Sequence, residues 1–187
     1  MQNLIETFRE IGNLSKENEK ALFNAIERIE FPSKTMLHET GKVCDSIYFI
    51  EKGIARTFYY KKGKDITYWI APENEFVGAM ASFFSREPSN KMVETIESCI
   101  LWKFEHHKLE QLFSTNRELE KAARLFANHG ISLLEKRFDT LHFNTAKERY
   151  DLLVNQQSDI LQRVPLGMIA SYLGITQETL SRIRHQK

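Results

Sequence analysis

The sequence predicts an α+β chain: a sandwich or barrel of short strands, then a long helix, then a compact helical segment. Three observations predict it. Residues 30–104 are rich in Ile, Val, Thr, Tyr, Phe and Trp, with Gly and Pro punctuation every few residues; many short strands with such turns make a β-sandwich or barrel. Residues 116–141 contain no proline and carry apolar residues at alternating steps of three and four. Residues 163–187 hold two short helical patterns joined by a glycine.

Taken in order, Leu4, Ile5, Phe8 and Ile11 have helical spacing, which predicts a short amphipathic helix over 3–11. Ser15 is placed to cap a second helix with Leu22, Phe23, Ile26 and Ile29 on its apolar side. The period then changes to that of strands. Ser46–Ile50, Ile54–Tyr60, Asp65–Ile70 and Met92–Ile96 read as strands, and Glu51-Lys-Gly53 and Lys62-Gly-Lys64 as turns. Helical periodicity returns near His106.

In the long stretch from Asn116 to Leu141, the residues Leu119, Ala123, Phe126, Gly130, Leu133 and Arg137 form a seam of about three heptads. A stripe that long exceeds what one short neighbour covers. It predicts a symmetric dimer through Leu119, Ala123, Phe126, Gly130 and Leu133, with another side of the helix on the strands. Thr145-Ala-Lys-Glu148 is a capping-box signature, and it starts a helix with Tyr150, Leu152 and Leu153 inside. The break at Phe143-Asn144 predicts a hinge, dividing the chain into 1–115, 116–142 and 143–187.

The end of the chain is the most informative part. Pro165 suits the first turn of a helix, and Ile169, Ala170 and Leu173 share one face. Gly174 stops that helix, and Thr176 caps the next, whose apolar face is Leu180 and Ile183. The small Ala170 permits close approach of the two. Thr176, Gln177, Glu178, Ser181, Arg182 and Arg184 remain on the polar side, with side chains suited to base edges and phosphates in a DNA major groove. From Arg163 onward, Arg163, Arg182, Arg184 and Lys187 face a single acid, Glu178. The pattern predicts a DNA-binding helix-turn-helix.

The remaining composition excludes several classes. At 187 residues, 42% hydrophobic and 27% charged, the chain reads as an ordinary globular protein of one large or two small domains. It has no run of apolar residues long enough to span a bilayer, and its start lacks the layout of a signal peptide, so a cytoplasmic protein without membrane contact is expected. Cys44 and Cys99 form no metal-binding spacing, and residues 44–104 contain no histidine, so no metal site is expected. Neither a nucleophile elbow nor a phosphate-binding glycine loop is present, and no enzyme is expected.

Gly41…Ser46-Ile-Tyr-Phe-Ile-Glu-Lys-Gly53 is similar to the glycine pattern of a jelly roll, and Ile169-Ala-Ser-Tyr-Leu-Gly-Ile-Thr-Gln-Glu-Thr-Leu-Ser-Arg182 matches a pair of reading helices. In this order the chain resembles the Crp/Fnr family of transcriptional regulators over nearly its whole length. The resemblance implies a jelly-roll β-barrel of the cyclic nucleotide-binding kind, turning at Gly41 and Gly53 and filled by Ile47, Phe49 and Phe76. It also implies a homodimer on double-stranded DNA, with RNA polymerase as a further partner.

The resemblance has departures. Where the family's cyclic-AMP binders carry a Glu for the ribose hydroxyl, this chain has Ala79; near the place of the Arg that neutralises the phosphate, it has Ser89. Arg86 and Lys91 lie close by in sequence. A buried phosphate without a charged partner is costly, so no cyclic AMP in the usual mode and no certain cofactor are expected. Two distant cysteines do not hold an iron–sulfur cluster, and no spacing singles out a haem ligand. An unknown small effector is placed between barrel and helix, against Ala79, Met80, Ser82, Phe83, Ser89, Asn90, Phe126 and His129. The family's β-wing does not follow Arg182, which predicts weaker DNA contact. It also supports the rival reading, a ligand-binding module without DNA-binding activity of its own.

Overall fold

The computed structural model describes Leu4, Glu6 and residues 14–185; apart from Leu4 and Glu6, the helix expected over 3–11 lies outside the described residues, as does Lys187. The first complete helix, α1 (Lys16–Ala25), starts at Ser15, whose side chain accepts the Asn18 N–H, and carries Glu17 and Glu19 in its first turn. Acids there complement the helix dipole. The helix ends one turn earlier than the sequence pattern suggests. Ile29, expected on its apolar face, lies instead in β1 (Glu27–Phe31), opposite Leu101. Within it Arg28-Ile-Glu-Phe31 alternates charged and apolar residues, which suits a strand of period two better than a helix.

Seven further strands follow: β2 (Met36–His38), β3 (Ser46–Lys52), β4 (Ala55–Lys61), β5 (Lys64–Ala71), β6 (Phe76–Val77), β7 (Met92–Thr95) and β8 (Cys99–Glu105). They form two antiparallel four-stranded sheets, in the orders β1-β8-β3-β6 and β2-β7-β4-β5. Tyr48, Ile50, Val77, Cys99 and Leu101 of the first sheet bury against Ala55, Ala71 and Val93 of the second. The β4–β5 hairpin turns through Lys62 and Gly63, at φ of 51° and 75°. Two successive positive φ angles match the right-handed twist of the strands. The hairpin rim carries Tyr59, Tyr60 and Lys61 (see below).

Strand β3 is apolar on both faces, because both are covered. Ile47 and Phe49, expected to fill the barrel, are buried on its other side, against the helices. That second core joins Leu22 and Ile26 to Trp102 and Phe104, and takes in Leu109 of α3 (His106–Thr115) and Leu119 and Ala122 of the long helix. A short helix α2 (Met80–Ser85) adds Phe83.

The long helix, α4 (Arg117–Phe143), is capped by Asn116, whose side chain accepts the Glu118 and Leu119 N–H groups at 3.1 Å. Its first half belongs to the barrel: Leu119 is 1% exposed, and the Phe126 ring lies 4.5 Å from that of Phe76. Its second half exposes Ile131, Leu134, Phe138 and Leu141.

After α4 the described residues form four more helices, α5 (Ala146–Gln156), α6 (Ile160–Arg163), α7 (Leu166–Tyr172) and α8 (Gln177–His185). The capping box forms, with the Thr145 side chain accepting the Glu148 N–H and the Glu148 carboxylate accepting the Thr145 N–H at 2.7 Å. Tyr150 and Leu153 are buried, whereas Leu152, expected inside, points outward at 37% exposure. The helical core (Ile160, Val164, Ile169, Ala170, Leu173, Leu180, Ile183) continues into Ile54 and Ile70 of the barrel.

Candidate functional site

The last two helices meet through Ile169, Ala170, Leu173, Leu180 and Ile183, all buried. Pro165 caps α7 rather than entering it. At Gly174 the backbone has φ of +68°, a conformation a side chain would strain. Thr176 accepts the Thr179 N–H at 3.2 Å and starts α8. With Leu180 and Ile183 inward, Gln177, Glu178, Ser181, Arg182 and His185 line one open groove with Leu166, of about 730 Å³. His185 completes the row and was not expected from the sequence; its i+4 spacing from Ser181 is the signal that would have found it. Arg184 is exposed but outside the groove, and Thr176 is exposed at the helix start. The Arg182 guanidinium donates to the Thr179 hydroxyl at 3.3 Å, a bond exposed to solvent. A hydrogen bond from Thr176 holds the Glu178 carboxyl below its usual range, so this side chain is an acceptor.

The C-terminal helices are tied to the barrel. Arg163 donates to Glu73 at 2.6 and 3.0 Å, to Asp159 at 2.7 Å, and to Glu97. Gln157 donates to Glu75 at 2.8 Å, and the Ser171 hydroxyl accepts the Thr67 N–H at 2.9 Å. The Arg137 guanidinium stacks 3.7 Å from the Tyr172 ring and donates to the Tyr172 carbonyl. Two neighbouring carboxyls respond in opposite ways. Burial opposes ionisation of Glu73, but hydrogen bonds from Arg163 and the Gly53 N–H outweigh it and the carboxyl is held low. Burial dominates at Glu75, which faces only the neutral donors Gln157 and Trp69 and is pushed up to about 7.

Of the expected effector residues, the structure gathers some and disperses others. Ala79, Met80, Phe83 and Phe126 share one apolar cluster. The Ser82 hydroxyl accepts the Cys44 N–H at 2.9 Å and donates to the Glu87 carbonyl, so both its capacities are taken. Ser89 is held by its backbone, accepting from the Gly41 N–H at 2.7 Å and donating to the Lys42 carbonyl at 2.9 Å. Asn90 opens into a different groove, and His129 is exposed on α4. Arg86 donates to the carbonyls of Cys44 at 2.8 Å and Phe83 at 3.1 Å and pairs with Asp45. It is committed there. Among the described residues no cluster of His, Cys, Asp or Glu is arranged to hold a metal ion, and no helix is long and apolar enough to cross a membrane.

This two-sheet barrel with its flanking helices has known counterparts. Residues 28–116 match the family model of the cyclic nucleotide-binding domain. No curated protein sequence matches the chain. Among solved structures, FixK2 from Bradyrhizobium japonicum is 17% identical with a TM-score of 0.69, covering 86% of this chain and 83% of that one. The regulator CLP of Xanthomonas campestris, described as c-di-GMP responsive, is 18% identical with a TM-score of 0.64, covering 92% and 91%. The catabolite activator protein of Thermus thermophilus is 17% identical with a TM-score of 0.57, covering 92% and 83%. The chain therefore shares the fold of these structures, with a cyclic nucleotide-binding-type barrel and a long helix.

Proposed function

We propose that the chain is a DNA-binding transcriptional regulator of the Crp/Fnr type, acting as a cytoplasmic homodimer, with the barrel as its control module. The division 1–115, 116–142 and 143–187 separates control, dimerisation and reading. The observation that carries this reading is the α8 groove. Five polar side chains, Gln177, Glu178, Ser181, Arg182 and His185, share the face opposite Leu180 and Ile183. Arg pairs bidentately with guanine, Gln with adenine, and Glu accepts from cytosine.

The dimer runs through the second half of α4. Ile131, Leu134, Phe138 and Leu141 follow steps of three and four and are exposed by 40–64%. That spacing is a coiled-coil seam, and each helix of a two-fold pair covers the other. Of the residues first expected there, Leu119 and Phe126 are engaged by their own barrel, and Arg137 by Tyr172. Leu133 stays exposed at the edge of the stripe.

Fluorescence anisotropy with labelled genomic fragments tests the reading. The full chain is expected to bind a subset of fragments, and Arg182→Ala to lose ~1–3 kcal/mol on those alone. A ligand-binding module without DNA activity gives equal, weak signals on every fragment.

A further inference from the structure

Two cations near Tyr68 lie partly or largely buried with no carboxylate partner among the described residues. One is Lys91, half-buried just before β7, with its ammonium 3.5 Å from the centroid of the Tyr68 ring. Burial alone acts on it and lowers its pKa. The other is Arg137, which stacks on the Tyr172 ring, donates to the Tyr172 carbonyl, lies within reach of the like-charged Arg149 and leaves its Nε–H without an acceptor. Tyr68 is within electrostatic reach of Arg137. A buried charge without a counter-ion is costly. Charges perturbed in this way cluster at functional sites.

The groove beside Lys91, of about 460 Å³, is lined by Tyr59, Tyr60, Lys61, Tyr68, Asn90 and Lys91. It opens on the β4–β5 hairpin, away from the cluster of Ala79, Phe83 and Phe126. Lys91 and Lys61 supply two positive charges, Asn90 supplies an amide donor, and three tyrosine rings supply flat apolar faces. We propose that this groove binds an organic phosphate monoester that carries a planar ring, with the dianion between Lys91 and Lys61 and the ring on the tyrosines. Two lysines match the double charge of a monoester better than the single charge of a cyclic diester. This deepens the control-module reading by naming a ligand class, and binding itself requires no DNA.

Calorimetry on the full chain without DNA tests it, using 5′-AMP, adenosine, inorganic phosphate and cyclic AMP as probes. 5′-AMP is expected to bind at least tenfold more tightly than each of the other three. Lys91→Gln is expected to weaken 5′-AMP binding tenfold or more, with Lys91→Arg close to the parent. Lys61→Gln, at an exposed position that leaves the fold intact, is expected to weaken it three- to tenfold. The proposal is overturned if 5′-AMP does not bind. It also fails if adenosine, phosphate or cyclic AMP binds as tightly, or if neither lysine variant changes the affinity. Because no DNA is present, such a result leaves the DNA-binding reading untouched.

Discussion

The hydroxyl of Ser171 accepts the backbone N–H of Thr67 at 2.9 Å, joining α7 to β5 across 104 residues of sequence. With the Arg163 bridge to Glu73 and Glu97, it holds the helical domain on the barrel. Ser171→Ala leaves a partly buried N–H without its acceptor, which costs about 1–2 kcal/mol. Arg163→Gln leaves Glu73 and Glu97 facing each other, and is expected to cost about 1–3 kcal/mol because the pairs are partly solvated. Urea denaturation and limited proteolysis check both. Each variant is expected to lose helical-domain protection first, and parent-like curves for both would show that the contact is not held in solution.

Glu75 gives the pH dependence a sign. Its carboxyl titrates near 7 in the folded protein against 4.5 ordinarily, because burial disfavours the charge. The folded state therefore binds the proton more tightly than the unfolded chain. This contribution to stability is fully present below pH 4.5 and is lost as pH rises through 7. Glu75→Gln is expected to flatten that window and to be more stable than the parent at pH 8, by about 1–3 kcal/mol. Thermal melts of both proteins at pH 5 and pH 8 check it; a parallel pH dependence would remove Glu75 as the source.

The two stripes of α4 separate on mutation. Leu134→Glu or Phe138→Glu places a charge in the exposed seam and is expected to give folded monomers. Leu119→Glu places a charge in the barrel core and is expected to cost several kcal/mol and unfold it. Light scattering with circular dichroism distinguishes the two. A dimeric Leu134→Glu,Phe138→Glu double variant would put the interface elsewhere.

Where the physics is local, the sequence was readable. The Thr145–Glu148 capping box, Gly174 at positive φ and the Lys62-Gly63 hairpin each need only a few adjacent residues, and each appears where the pattern put it. Strand β8 was missed because Cys99-Ile-Leu-Trp-Lys-Phe-Glu105 lies between β1 and β3, with buried residues on both faces and no alternation to read. Of the expected α4 seam, Leu119 and Phe126 pack into their own barrel's core. Apolar residues occur on more than one side of that helix, and periodicity does not say which side its own barrel takes. The same limit applies to the candidate sites. The polar face of α8 is a repeat within one helix, whereas Arg163–Glu73, Gln157–Glu75 and Lys91–Tyr68 join distant residues with no shared pattern.

Cyclic AMP is expected to bind weakly or not at all. Ala79 is buried and offers no acceptor, Ser89 carries no charge, and Phe126 packs on Phe76 in the cluster that holds Ala79. Two missing charge-assisted bonds at ~1.5–3 kcal/mol each weaken affinity by roughly two to four powers of ten. Calorimetry checks this, and a micromolar constant abolished by Arg86→Ala would show a phosphate site reached by a rearranged Arg86.

The central claim is that α8 reads DNA sequence, and selection of binding sites from a random-sequence library by the purified chain tests it most directly. The account predicts an enriched palindrome with half-sites about one helical turn apart, ~34 Å. It also predicts that Arg182→Ala relaxes one position in each half-site, while Gln177→Ala shifts the preferred base. A library that emerges unenriched, or identical motifs from parent, Arg182→Ala and Gln177→Ala, would contradict it.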